Sequence, residues 1–217
     1  MINICFHGIG TPGRPLEAGE DRYWIDQDRY YALLDEIARL PDVQISFDDG
    51  NASDIEIGLP GLLERGLQAT FFVLAGRLGQ AGSLDIEELQ ELRRHQMKIG
   101  THGMDHRPWT GLSTHERGVE LEDARRRLEA VLAVPVDTAA VPLGRYDRPL
   151  LTQLRRRGYQ TVYTSDRRPS QGGAWLQPRY SIRAQDDAPS LRREIFADTS
   201  RPVRLATSLK GVVKRLI

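Results

Sequence analysis

The chain has 217 residues, of which 40% are hydrophobic and 28% charged, an ordinary balance for a soluble globular protein. Its 30 Lys and Arg balance 30 Asp and Glu, so no global field argues for nucleic acid or a strongly acidic partner. Cys5 is the only cysteine, which excludes an intrachain disulfide and suits a reducing compartment.

Ile2 to Phe6 reads as a short buried strand. No charged segment followed by an apolar one opens the chain, and no apolar run approaches the roughly 20 residues that span a bilayer. The expectation is a cytoplasmic protein with one domain over residues 1–217, a length that α/β barrels reach as single units. Gly8-Ile9-Gly10-Thr11-Pro12-Gly13 formally matches a dinucleotide fingerprint, but Pro12, Pro15 and Gly19 leave no helix to receive a pyrophosphate. A helix follows from about Asp28 to Leu40, with Tyr31, Leu34, Ile37 and Ala38 on one stripe, stopped by Pro41. The alternating run Val43, Ile45, Phe47 predicts a strand that ends at Asp48-Asp49-Gly50. A helix through Ile57, Leu59, Leu62 and Leu63 ends at Gly66, and Ala69 to Ala75 is an apolar strand. Asp85 with Glu88 forms a capping box for a helix through Leu89 and Leu92. Lys98 to Thr101 is a strand ending at His102, and Thr114 caps a long helix through Leu121, Leu128 and Leu132. Thr138 to Val141 is a strand running into Pro142-Leu143-Gly144. Asp147 caps a helix closed by Gly158, and Tyr159 to Thr164 is a further strand.

Strands alternating with helices at this spacing indicate βαβ units and a parallel sheet or barrel. Beyond Asp166, Trp175 to Arg183 reads as extended and Ser190 to Phe196 as helical. Arg201 to Ile217 carries five basic residues and no acidic one. Leu205, Leu209, Val212, Val213 and Leu216 suit an amphipathic helix over about 203–217, packed on its own domain or resting on an anionic membrane surface.

Polar residues gather where strands end: His7, Asp48 and Asp49, His102, and the Pro142–Gly144 turn. In α/β barrels that face carries the active site, because loops from different strands converge there. Adjacent carboxylates repel each other unless a cation or proton lies between them, so Asp48-Asp49 reads as a metal site, a base beside one, or a plain turn. His102-Gly103-Met104-Asp105-His106 places two imidazoles four residues apart on a turn after a strand. Two His and one carboxylate make a catalytic site for zinc or a similar divalent metal; read alone, the pentad is equally two surface histidines in a loop. His95 and His115 lie on helices without partners.

Ser46-Phe47-Asp48-Asp49-Gly50 resembles the T-F-D-D-G signature of the polysaccharide deacetylases (carbohydrate esterase family 4, the NodB-type domain). His102 to His106 resembles that family's H-[S/T]-x-x-H signature, with Gly103 at the hydroxyl position. Ala140-Val141-Pro142-Leu143-Gly144 stands where the family has R-x-P-x-G, and Ala69-Thr70-Phe71-Phe72-Val73 is also typical of it. The resemblance spans residues 3 to 183 and implies a distorted (β/α)7 barrel that removes acetyl from an N-acetylated sugar. By position, Asp49, His102 and His106 would bind the metal, with Zn favoured and Co, Ni or Mn as alternatives. Asp48 would be the general base, and the backbone N–H of Leu143 the oxyanion donor.

The chain departs from that pattern in three places. Ala140 replaces the arginine that supports the base, which leaves Arg145 and Arg179 as candidate substitutes. No histidine follows His115 to serve as the usual acid. His7 is the candidate, because a permuted branch of the family has its acid histidine on the first strand. The D-x-x-D-W motif is absent, with Asp166 as its only remnant. The expected partner is an N-acetylated sugar, oligosaccharide or lipid-linked glycan, and Trp24, Trp109 and Trp175 could stack on it or simply pack. A non-catalytic glycan- or metal-binding relative and a hydrolase of a small non-sugar amide are the competing readings.

Overall fold

A computed structural model describes residues 1–196; the expected helix at 203–217 lies outside the described residues. In chain order the strands are β1 (Ile2–Phe6), β2 (Gly8–Ile9), β3 (Trp24–Ile25), β4 (Val43–Asp49), β5 (Ala69–Val73), β6 (Lys98–Thr101), β7 (Thr138–Ala140), β8 (Thr161–Thr164), β9 (Leu176–Pro178) and β10 (Tyr180–Ser181). The helices are α1 (Gln27–Ile37), α2 (Leu59–Glu64), α3 (Ile86–Arg94), α4 (Thr114–Gly118), α5 (Ala124–Leu132), α6 (Arg148–Arg156) and α7 (Ala188–Ser190).

Eight strands form one sheet in the order β10-β1-β4-β5-β6-β7-β8-β9, and every neighbouring pair is parallel. The two ends of that order belong to one segment, because only Arg179 separates β9 from β10. The Arg179 amide donates to the Thr164 carbonyl at 2.9 Å, and the Ile182 amide donates to the Cys5 carbonyl at 2.8 Å. The ladder therefore passes from β8 to β1 through residues 176–181. With that segment counted as one bent strand, the sheet is the distorted (β/α)7 barrel that the resemblance implied.

Strands covered on both faces must be apolar almost throughout, and all five residues of β1 are buried. Helices cover the outside with their apolar stripes: α1 buries Tyr30, Leu33, Leu34 and Ile37. Asp26, which accepts the Arg29 amide, caps α1, so the helix opens at Gln27, one residue before the expected start, and ends at Ile37. The cap of α4 is Ser113, with Glu116 completing a capping box, and not Thr114. The box needs Glu three residues after the cap, and only Ser113 has it.

Two departures from the expected pattern shape the site. The loop after β1 is not featureless, since β2 pairs with β3 and draws residues 10–23 back over the end of β1. Gly8 is required there: a Cβ would come within 2.0 Å of the Trp24 ring. The long helix from α4 to α5 widens into a π turn at Val119–Asp123. Such turns re-aim side chains and often mark functional regions. Here the turn buries Glu120.

Candidate active site

Five loops at the carboxyl ends of the strands bring the predicted residues together. Asp48 and Asp49 end β4, His102 follows β6, Pro142–Gly144 follows β7, His7 follows β1, and Arg179 sits at the β9–β10 bend. Asp49, His106 and Leu143 all have positive φ, at 79°, 53° and 56°. A non-glycine residue held there typically costs on the order of 1–3 kcal/mol, a strain that gathers at functional sites.

The Nε2 atoms of His102 and His106 each lie 3.6 Å from Asp49 Oδ1. That oxygen is buried without a hydrogen-bond partner. His102 Nδ1–H donates to the Ala140 carbonyl at 2.8 Å, and His106 Nδ1–H donates to Glu17 Oε2 at 2.7 Å. With both Nδ1 atoms occupied by hydrogens, both Nε2 lone pairs converge on the orphaned carboxylate oxygen, which is how imidazole ligands are oriented around a metal. Burial lowers the His102 pKa despite the neighbouring Asp48 and Asp49 carboxylates, keeping the ring neutral, as a ligand must be. Burial would raise Asp49, but the positive charge that His106, His7 and His102 carry when protonated brings it below its ordinary value. The set fits a divalent cation. Buried Asp54 is different: its carboxyl is pushed well up by burial and then by the charges of Asp49 and Asp48, which disfavours the ionised form a metal ligand needs.

Cys5, His7 and Asp48 also have ligand atoms within 4.8 Å of one another. There, however, Asp48 accepts from Arg179 through both oxygens, and burial pushes the Cys5 thiol up. The guanidinium already supplies the cation at that carboxylate.

The turn that carries His102 and His106 is held from behind by a residue that motif reading passed over. Buried Glu120 accepts from the amides of Met104 and Asp105 at 2.8 and 3.2 Å and from Trp109 Nε1 at 3.3 Å. Its sequence signal was its position four residues before Ala124 and eight before Leu128, both buried: a charge on an apolar stripe. Gly103, the departure from the family's hydroxyl residue, now has a reason. Its φ is 93°, and a Cβ would come within 2.4 Å of Glu120 Oε2. Gly103→Ser, which restores the family residue, is therefore expected to destabilise the protein by about 1–3 kcal/mol and to weaken metal binding. Thermal unfolding and metal titration of the variant check both.

Arg179 supplies the arginine beside Asp48 that Ala140 does not. It is fully buried, with Nη1 2.6 Å from Asp48 Oδ1 and Nη2 2.6 Å from Asp48 Oδ2. Nη1 also donates to Ser46 Oγ at 3.0 Å, and the guanidinium lies 5.1 Å from the Phe72 ring centroid and 5.7 Å from that of Tyr163. Burial alone would raise Asp48; the Arg179 charge overrides it and holds the carboxyl well below the usual range. Arg145, the other candidate, is exposed.

His7 stacks on Tyr23 with ring centroids 4.8 Å apart, and its ring lies beside Asp48. Leu143 is 53% exposed at the mouth of the site. The hydrogen bonds closing its turn run from Gly144 to Val141 and from Arg145 to Pro142, so neither uses the Leu143 N–H. Asp166 accepts from Tyr146 and Thr164 at 2.6 and 2.9 Å. The tryptophans resolve toward packing: Trp24 and Trp109 are buried, and Trp175 lies beneath Arg155 at 4.1 Å with its indole N–H on the Tyr159 carbonyl.

The sequence pattern of the polysaccharide deacetylase family matches residues 38–162, a range that contains Asp48, Asp49, His102, His106 and Leu143 but neither His7 nor Arg179. The Bacillus subtilis relative YxkH is 26% identical over 178 residues, and the match covers 75% of this chain and 63% of that protein. The chain thus spans less than two thirds of the length of this curated relative. Among solved structures, the Streptococcus pyogenes deacetylase PplD in complex with acetate superposes with a TM-score of 0.74 at 20% identity, covering 90% of this chain and 97% of PplD. IcaB from Ammonifex degensii gives a TM-score of 0.72 at 21% identity, covering 89% and 96%. At these identities the two structures speak for the fold.

Proposed function

The chain belongs to the polysaccharide deacetylase family, and on that premise we propose that it hydrolyses the N-acetyl group of an acetamido sugar with the help of a divalent metal. One observation carries the reading: Asp48 is kept beside the ligand set and locked in its ionised form by Arg179. A protein that only binds metal or glycan needs the three ligands but has no use for that base.

Asp49, His102 and His106 would hold the cation, and an N,N,O donor set favours zinc, with cobalt, nickel or manganese as alternatives. A cation so held polarises the amide carbonyl and makes water a competent nucleophile near neutral pH. Asp48 takes the proton as the water oxygen bonds to the acetyl carbon. The N–H of Leu143 donates to the carbonyl oxygen as it gains negative charge; such a donor is typically worth on the order of 10²–10³ in rate. His7 delivers a proton to the nitrogen as the C–N bond breaks, leaving acetate and the sugar amine. Burial disfavours the thiolate of neighbouring Cys5, and no step uses it.

The test is acetate release from N-acetylglucosamine oligomers, a lipid-linked acetamido sugar and simple N-alkyl acetamides. Turnover of the sugars supports the proposal. Turnover confined to the simple amides would favour the non-sugar hydrolase. Bound metal without turnover on any of them would favour a binding relative.

A further inference from the structure

We infer that Glu17, in the loop between β2 and β3, is a positioning residue for metal ligand His106. The inference rests on the metal site proposed above and adds to it a residue outside both recognised motifs. Glu17 Oε2 takes the Nδ1–H of His106 at 2.7 Å, which fixes the tautomer that presents Nε2 toward Asp49 Oδ1, 3.6 Å away. The other carboxylate oxygen is held by Arg77. Each oxygen therefore has one partner, and the carboxylate plane is set by the protein.

The loop carrying Glu17 is itself built in place. The Glu17 amide donates to Glu20 Oε2 at 2.7 Å, and the Glu20 amide returns a bond to the Glu17 carbonyl at 3.0 Å. Buried Glu20 is paired with Arg14, whose Nη2 also donates to Asn51 Oδ1 at 2.8 Å. Asn51 lies two residues after Asp49. Gly13 and Gly82 meet backbone to backbone, since a Cβ on Gly82 would come within 2.6 Å of the Gly13 carbonyl carbon. The loop is thus tied to the same β4 exit that supplies Asp49, and through Glu17 it reaches the one of the two histidine ligands whose Nδ1 is not anchored on the barrel backbone. His102 has the Ala140 carbonyl for that purpose; His106, at φ 53°, depends on Glu17.

An imidazole ligand that loses its hydrogen-bonded partner typically loses about 10–100-fold in metal affinity. The experiment is a Zn²⁺ competition titration against a chromogenic chelator on the whole chain, with Glu17→Ala, Glu17→Gln and Arg77→Ala beside the wild type, and thermal unfolding of each metal-free protein as a fold control. Glu17→Ala is expected to weaken Zn²⁺ by about 10–100-fold with little change in metal-free stability, because Glu17 is 43% exposed. Glu17→Gln should recover part of the loss, because the amide oxygen can still accept from Nδ1. Arg77→Ala should keep most of the affinity. An unchanged affinity in Glu17→Ala would overturn the inference. So would a loss in Arg77→Ala as large as that in Glu17→Ala, because it would make Glu17 an anchor of the loop only. If the wild type itself bound no Zn²⁺, the metal site would fall, and the inference with it.

Discussion

Replacing Arg179 by methionine is expected to destabilise the protein by about 3–5 kcal/mol, the usual cost of stripping one partner from a buried ion pair. For a domain of this size that corresponds to a fall in Tm of roughly 6–20 °C. Both oxygens of Asp48 lose their donors at once, and the buried carboxyl loses the largest influence that offsets its desolvation. The pH dependence of stability, measured on metal-free protein, should change sign at this group. In the wild type Asp48 is held below its ordinary value, so its contribution is fully present above about pH 4, the unfolded carboxyl range, and is lost on further acidification. In Arg179→Met, burial is opposed only by His102 and His7 and, as the largest influence on Asp48, is expected to raise the carboxyl. The folded protein then binds more protons than the unfolded chain, and stability falls as pH rises above that value. Activity should disappear with the ionised base. The double variant Asp48→Leu/Arg179→Met separates the two effects, because replacing a buried pair by apolar groups is often neutral or stabilising. It should recover stability without recovering turnover. An Arg179→Met protein that melts with the wild type would remove the tuning role argued for this residue.

Asp48→Asn is expected to lower kcat by about 10²–10⁴, the range for loss of a positioned proton-transfer group, while the protein keeps its metal. Asparagine has nearly the shape of the carboxylate and still offers one oxygen to Arg179, but it cannot take a proton. Its amide N–H₂ turns toward the guanidinium, so some loss of stability accompanies the loss of rate. Asp48 contributes no ligand atom to the set of Asp49, His102 and His106, which is why metal content should not follow activity. Steady-state acetate release with metal analysis on the same samples reads both. Near-wild-type kcat in this variant would mean that another group accepts the proton.

Much of this arrangement was legible in the sequence because the motifs sit at strand ends, and a strand's exit fixes where the next few side chains can point. Asp48, Asp49, His102 and His106 converge for that reason. Arg179 could be named only alongside Arg145, because nothing in Trp175 to Arg183 reveals that the segment bends at residue 179 and bridges β8 to β1. That closure turns the arginine inward and lets a strand distant in sequence do the work expected of position 140. Gly103 stands where the family motif has a hydroxyl residue; its left-handed backbone and the packed Glu120 carboxylate explain it. Glu17 carried no signal at all. It lies in a Gly- and Pro-rich loop with no helical or strand period, and its role depends on the β2–β3 ladder and on Arg77, neither of which the local sequence announces.

The most direct test is to strip the protein with a chelator, follow acetate release from an N-acetylglucosamine oligomer, and add back Zn²⁺ in stoichiometric amount. Turnover should fall to background on stripping and return with one equivalent of metal, and Asp49→Ala should neither bind that equivalent nor recover. Acetate release that persists after the metal is gone would contradict the assignment of Asp49, His102 and His106 as the centre of the reaction.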